Sequence, residues 1–270
     1  MLQARYSETA FWLRASSYPL AAADIWCEGR RVIRLLTFGG LAIDRHGPLV
    51  GAHIRVQELG LLARLAVAGE RGLSRDRLVS CFWPDKDQQH ALHSLSQILH
   101  RIRKELVADG LFLGTMIVRL NPEHISSDVA EFEQAMSSGS YERAAMLYAG
   151  PFLDGVFITI APEFERWADR ERRRFSDAHI GCLRKLAIGA TEAGDHDGAA
   201  MWWKRIGAVD PLNSAVATSF VRSLAAAGDP AGALREARAH ESLLSVELGR
   251  RPASAFCELV EQLRQSPVNN

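Results

Sequence analysis

Long hydrophobic runs are missing from this sequence. Nowhere does it approach the roughly 18 consecutive apolar residues of a membrane-spanning helix, so no membrane partner is expected. The first 29 residues do hold Phe11, Trp12 and Ala21–Ala23, but Arg14 and Pro19 interrupt them. That argues against a secretory signal, and residues 1–29 read as a poorly ordered leader. Cysteine is scarce: Cys27, Cys81, Cys182 and Cys257 stand far apart and form no metal-type pair. This excludes a disulfide scaffold and suits free thiols in a reducing cytoplasm. Cys81, Cys182 and Cys257 lie in apolar helical surroundings and are expected in the core. No Gly-rich phosphate loop is present, since Gly39-Gly40 sits in a strand pattern as its turn. Ser74 and Ser94 have no nucleophile-elbow context. His90, His93 and His100 share one helix, but no Cys or carboxylate on that face completes a metal site. Enzyme activity, a cofactor and a metal are therefore not expected.

Net charge is lacking as well, since 32 basic residues face 32 acidic ones. Its distribution is uneven. Residues 30–125 carry 14 Lys+Arg against 9 Asp+Glu, whereas residues 126–270 carry 16 against 20. A basic half joined to an acidic half suggests two domains with different partners, each folding by itself. The 270 residues leave room for two ordinary domains.

What is present centres on Gln88 to Leu106, QQHALHSLSQILHRIRKEL. Leu92, Leu95, Leu99, Ile102 and Leu106 recur at steps of three and four, which predicts an α-helix with one apolar stripe widened by Ala91 and Ile98. Asp87 is placed to cap it. The opposite face gathers His90, His93, Gln97, His100, Arg101 and Lys104, with Ser94 at its edge and no carboxylate. Alone, this reads first as a surface helix packed through its leucines. Its neighbours favour a recognition helix. Val32 to Ile43 predicts two short strands around Gly39-Gly40, Gly47-Pro48 a turn, and Leu49-Val50 a third short strand. Arg55 to Ala68 predicts a helix. A second runs from a Ser74 cap to Phe82 and stops at Trp83-Pro84. After the Gln88 helix, Leu111 to Leu120 predicts a hairpin around Gly114-Thr115. Strands, three helices and a hairpin are the order of a winged helix-turn-helix.

From Ser126 helices take over, two short ones first and then a long one from Pro162 to about Ala193. The run Arg170 to Arg174 is expected on its solvated face. Ala193-Gly194-Asp195 with Gly198-Ala199 returns as Ala227-Gly228-Asp229 with Gly232-Ala233, an offset of 34 residues. That is the tetratricopeptide period, and the small residues are expected to let paired helices approach. Such domains bind protein segments in a concave groove. The fold class is mainly α with a small β component: residues 30–125 a winged helix, residues 126–270 an α-helical tetratricopeptide-like repeat domain.

The blocks LLTFGGLAI, ELGLLARLAVAG, LSRDRLVSCFWPD and ALHSLSQILHRIRKEL, within residues 32–125, resemble the OmpR-like DNA-binding domain of SARP-type bacterial activators. Farther on, SSDVAEFEQA, YAGPFLDGVF, EFERWADRERRRF, AGDHDGAAMWWKRIGAVDPLN and LAAAGDPAGALREARAH resemble the bacterial transcriptional activator domain that follows it in those proteins. The resemblance implies a cytoplasmic regulator, an activator, that binds double-stranded promoter DNA and contacts RNA polymerase. It also implies that the loop holding Asp85 and Lys86 is the polymerase contact. On the helix face, Gln97 suits a bidentate contact to adenine, and His93 and Ser94 can reach base edges. Arg101 and Lys104 suit phosphates, with Arg55 and Arg119 as further candidates. The repeat domain would serve self-association or a protein partner. The alternative is an interaction scaffold whose winged helix no longer grips DNA; Arg55 alone before the first helix and Arg119 alone on the wing favour it.

Overall fold

A computed structural model describes residues 33–44 and 54–265 of the chain. The expected leader 1–29 with Cys27, the Gly47-Pro48 turn and the Leu49-Val50 strand lie outside the described residues. Strands β1 (Ile33–Leu36) and β2 (Ala42–Asp44) pair antiparallel, Leu35 opposite Ile43. Between them Gly39 and Gly40 take positive φ, which makes the turn. Helix α1 (Val56–Ala68) follows, then a short 3-10 turn and strand β3 (Leu73–Ser74). Helix α2 (Arg75–Phe82) begins where the Ser74 hydroxyl accepts the Arg77 N–H at 3.3 Å. Helix α3 (Gln88–Leu106) begins where the Asp87 carboxylate accepts the His90 N–H at 3.1 Å. Strands β4 (Phe112–Leu113) and β5 (Ile117–Leu120) form the hairpin, and β3 joins it in the order β3-β5-β4. These elements build the expected winged helix.

Strand β6 (Ile125–Ser127) then returns to lie parallel to β1, Ile33 opposite Ile125 and Leu35 opposite Ser127. Helix α4 (Asp128–Ser137) starts at once, and its first residue does unusual service. The buried Asp128 carboxylate accepts the Thr37 N–H at 2.6 Å, the Phe38 N–H at 2.9 Å and the Thr37 hydroxyl at 2.6 Å. Those are the donors left over where β1 ends, so a charge buried there has a full set of partners. After helix α5 (Tyr141–Leu147) the connector also comes back to this point: Leu153 N–H donates to Thr37 O at 2.8 Å and Gly39 N–H to Pro151 O at 3.0 Å. A Cβ on Gly150 would stand 3.0 Å from the Gly39 Cα, so the two chains meet glycine to glycine.

The rest is helical: α6 (Pro162–Glu192), α7 (His196–Val209), α8 (Ser214–Ala226), α9 (Pro230–Leu248) and α10 (Ser254–Gln265). Phe38, Phe132, Phe152 and Phe175 meet edge to face or tilted, and Phe164 of α6 lies 5.2 Å from Phe82 of α2, ring centre to ring centre. The core is thus continuous from Ile33 to Val216. A separate small core, with Phe256 at its centre, gathers α8, α9 and α10.

Three expectations change in detail. Cys257 is exposed, because on α10 it is Phe256 and Val260 that turn inward. The run Arg170–Arg174 is only partly a solvated face: Arg172 donates to the Phe152 and Leu153 carbonyls at 3.0 and 3.2 Å, and Arg174 pairs with Glu133 at 2.8 Å. The repeated glycines do not serve close helix packing. A Cβ on Gly198 would lie 2.1 Å from the Asp195 carboxylate, and one on Gly232 would lie 1.9 Å from that of Asp229. Each glycine makes room for the aspartate that caps its helix, accepting the glycine N–H at 2.9 and 2.7 Å. Ala199 and Ala233, the next residue in each repeat, are fully buried.

Candidate nucleic-acid interface

Helix α3 buries Ala91, Leu95, Ile98, Leu99, Ile102 and Leu106. A buried stripe that wide fixes the rotation of the helix and leaves His90, His93, Gln97, His100 and Lys104 exposed. Two of these touch: the Gln97 amide donates to the His93 Nε2 at 2.9 Å. At the start of the helix, Asp87 also meets the His90 Nδ1 at 2.5 Å. The His90 backbone and ring together hold the Asp87 carboxyl below its usual range.

Not every candidate on this face has free hydrogen-bonding groups. The Ser94 hydroxyl donates to the His90 carbonyl at 2.9 Å and accepts from the Lys86 ammonium at 3.2 Å. Arg101 is paired with an acid from another helix. Its guanidinium lies 2.8 Å from a carboxylate oxygen of Glu58, which is 1% exposed. The other oxygen of Glu58 accepts the Arg55 N–H at 2.9 Å, at the start of α1. Glu58 therefore neutralises Arg101 and ties α1 to the middle of α3. Arg101 thus stands on this face already paired with a carboxylate, its side chain partly exposed. Lys104 and the side chain of Arg55 are exposed. So is Arg119, on the wing strand opposite Leu113.

The structure adds a residue that spacing gave no reason to choose. Arg75, the first residue of α2, donates from Nε to the Thr115 carbonyl at 2.7 Å and from Nη1 to the Ser96 hydroxyl at 3.2 Å. Its N–H also donates to the Met116 carbonyl at 3.2 Å. One arginine thus fastens the tip of the wing to α3. Arg103 supports the wing from behind, its guanidinium 5.4 Å from the centre of the Phe112 ring. The wing tip presents Met116 and Ile117 to solvent. In the loop between α2 and α3, Trp83 is buried while Asp85 and Lys86 are exposed, and the Lys86 N–H closes the turn on the Trp83 carbonyl at 3.2 Å. Among the described residues there is no cluster of His, Cys, Asp and Glu suited to a metal, and no helix long and apolar enough to cross a membrane.

A helix with an exposed polar face beside a pinned wing, followed by a stack of helices, defines a winged helix joined to a helical-repeat domain. Residues 125–264, more than half of the chain, match the bacterial transcriptional activator domain. The chain belongs to that family and is a transcription regulator of SARP type. Its fold is similar to that of EmbR from Mycobacterium tuberculosis, a structure solved in complex with a low-affinity phosphopeptide. That likeness has a TM-score of 0.58 at 19% identity, and covers 89% of this chain and 67% of the EmbR chain. No curated protein sequence matches.

Proposed function

We propose that the chain activates transcription by binding double-stranded promoter DNA through α3 and its wing. The DNA-binding part is residues 30–125, and residues 126–270 provide for self-association or a protein partner. The observation that carries this is the polar face of α3, free of carboxylates and held rigidly against the wing by Arg75. Gln97 reads a base edge with its amide, oriented by His93; Ser94 joins only by giving up its contact to Lys86. Lys104, Arg55 and Arg119 hold phosphates. Asp85 and Lys86 stand at the surface beside α3 and form the contact to RNA polymerase. The partner groove of the repeat domain is the apolar cleft of about 260 Å³ between α7, α8 and α9, lined by Trp203, Val216, Phe220 and Leu243. The working compartment is the cytoplasm.

A mobility-shift titration on the DNA upstream of its own gene, at two salt concentrations, tests this. Gln97→Ala should cost about 1–3 kcal/mol at one base position and leave the salt slope alone. Lys104→Ala should weaken all sequences and lower the salt slope by about one. With the same promoter driving a reporter, Asp85→Ala should lower transcription without changing DNA affinity. If both helix variants bind every probe like the parent protein at both salts, α3 does not face DNA. The second reading then stands: an interaction scaffold working through the repeat domain. It draws support from Glu58, which takes up the charge of Arg101 and leaves the reading face with few free cations.

A further inference from the structure

A cleft of about 750 Å³ opens where α2 of the winged helix packs on the start of α6. Its walls bring together Arg64 of α1, Arg77 of α2, Lys86 of the following loop and Arg170 of α6. Two carboxylates also line it, Asp76 and Glu163. Both have partners of their own: Asp76 accepts from the Gln88 amide at 3.3 Å, and Glu163 pairs with Arg166 outside the cleft. The arginines are not so supplied. Arg64 is held with its guanidinium 4.7 Å from the centre of the Trp167 ring, and its buried Nε has no hydrogen-bond partner among the described residues. Four cations stand against two carboxylates in this lining, an excess of two positive charges, and the Arg64 Nε is left without an acceptor. Burial lowers the Arg64 pKa; the charges of Arg170 and Arg77 lower it as well, while Cys81 and Glu171 act in the opposite direction. Beside the cations Leu73, Val79 and Pro84 give an apolar wall.

We infer that this cleft is a binding site for a small organic oxyanion, a phosphate or carboxylate bearing an apolar group. The oxyanion is gripped by Arg64, Arg77 and Arg170, and the apolar part rests on Leu73, Val79 and Pro84. Planar guanidiniums from three elements suit the two or three oxygens of such a head group. A ligand there contacts α1 and α2 on one side and α6 on the other, so its binding stabilises the junction between winged helix and repeat domain. The site stands whether or not α3 reads DNA.

The experiment is thermal unfolding of the full chain with phenyl phosphate, benzoate or inorganic phosphate, against sodium chloride of equal ionic strength, with direct calorimetric titration of the same probes. Phenyl phosphate should raise Tm beyond the chloride control and bind more tightly than inorganic phosphate. A response to benzoate as well assigns the site to oxyanions in general, and its absence assigns it to phosphates. Arg170→Gln and Arg77→Gln change exposed side chains and should leave the ligand-free Tm unchanged while weakening binding about tenfold or more. The inference is overturned if no organic anion outperforms chloride, or if both variants respond like the parent chain. It is equally overturned if duplex DNA displaces bound phenyl phosphate, since the arginines would then belong to a DNA backbone contact.

Discussion

At the scale of single residues, two buried groups set expectations that the surface does not show. Removing Arg101 leaves the Glu58 carboxylate buried with one backbone donor in place of two partners. Arg101→Ala should therefore destabilise the protein by about 1–3 kcal/mol in urea unfolding. Part of that loss should return in the double variant with Glu58→Gln. An unchanged midpoint would make Arg101 a surface cation after all. His179 gives a pH dependence. It stacks on Tyr148, ring centres 4.1 Å apart and nearly parallel, and its Nδ1 has no partner among the described residues. Burial, and then the charge of Arg205, push its pKa down to about 4 from 6.5. The unfolded chain therefore binds the proton more readily. Its stabilising contribution is complete above pH 6.5, is lost progressively between 6.5 and about 4, and falls no further below that. The loss is on the order of 3 kcal/mol. His240, lowered in the same way by burial, acts in the same direction. His179→Phe keeps a ring on Tyr148 and should flatten stability across that window, measured as Tm at pH 7 and pH 4.5; an unaltered acid slope would clear His179 of the effect. Gln97 was legible in the sequence because helical spacing alone decides which face it occupies. Arg101 was not, because Glu58 lies 43 positions away and no local pattern announces the pair.

At the scale of elements, the chain signals its helix starts clearly. Ser74, Asp87, Ser127, Asp195 and Asp229 each accept a backbone N–H two or three residues on, so the start of each helix is a local matter. The hairpin and the 34-residue repeat are equally local. The parallel pairing of β6 with β1 is not, since its register joins residues some 90 positions apart and depends on the core between them. The repeat glycines are legible in the sequence, but the room they make for the Asp195 and Asp229 carboxylates is not, and a sign reversal tests that role. Gly to Ala inside a helix ordinarily gains up to about 1 kcal/mol. At Gly198 the new methyl displaces the Asp195 carboxylate and forfeits a cap worth about 1 kcal/mol. Gly198→Ala should thus be neutral or destabilising in the parent chain. In an Asp195→Ala background, with no carboxylate left to displace, it should stabilise. Gly232 with Asp229 should repeat the pattern. Thermal unfolding of the four proteins of one cycle is enough, and additive effects would refute the coupling.

At the scale of the whole molecule, the charge division near residue 126 suggests two bodies, whereas the core continues straight across it. A cut after Ile125 removes Ser127, the partner of Leu35, and Asp128, whose carboxylate satisfies three donors at the end of β1. It also strips Phe164 from Phe82 and Ile158 from the face of Gly60. These groups lie in the winged-helix half but take their burial from the other. Those three hydrogen bonds to a carboxylate are lost to water at about 1.5–3 kcal/mol each, and a small domain has only about 5–15 kcal/mol of net stability to lose. A fragment of residues 30–125 should therefore keep much of its helical circular dichroism but unfold without a sharp transition and show poorly dispersed amide resonances. The division that the packing does support lies farther on, where the continuous core ends at Val216 and the small core around Phe256 begins. A chain ending after Val209 loses α8 to α10 but keeps the large core intact apart from Val216 and the half-buried Phe220, at the cost of exposing one face of α7. It should still unfold cooperatively, at a lower temperature than the parent protein. If instead the 30–125 fragment melts sharply and the longer chain does not, the two halves are independent bodies and the shared core contributes little to either.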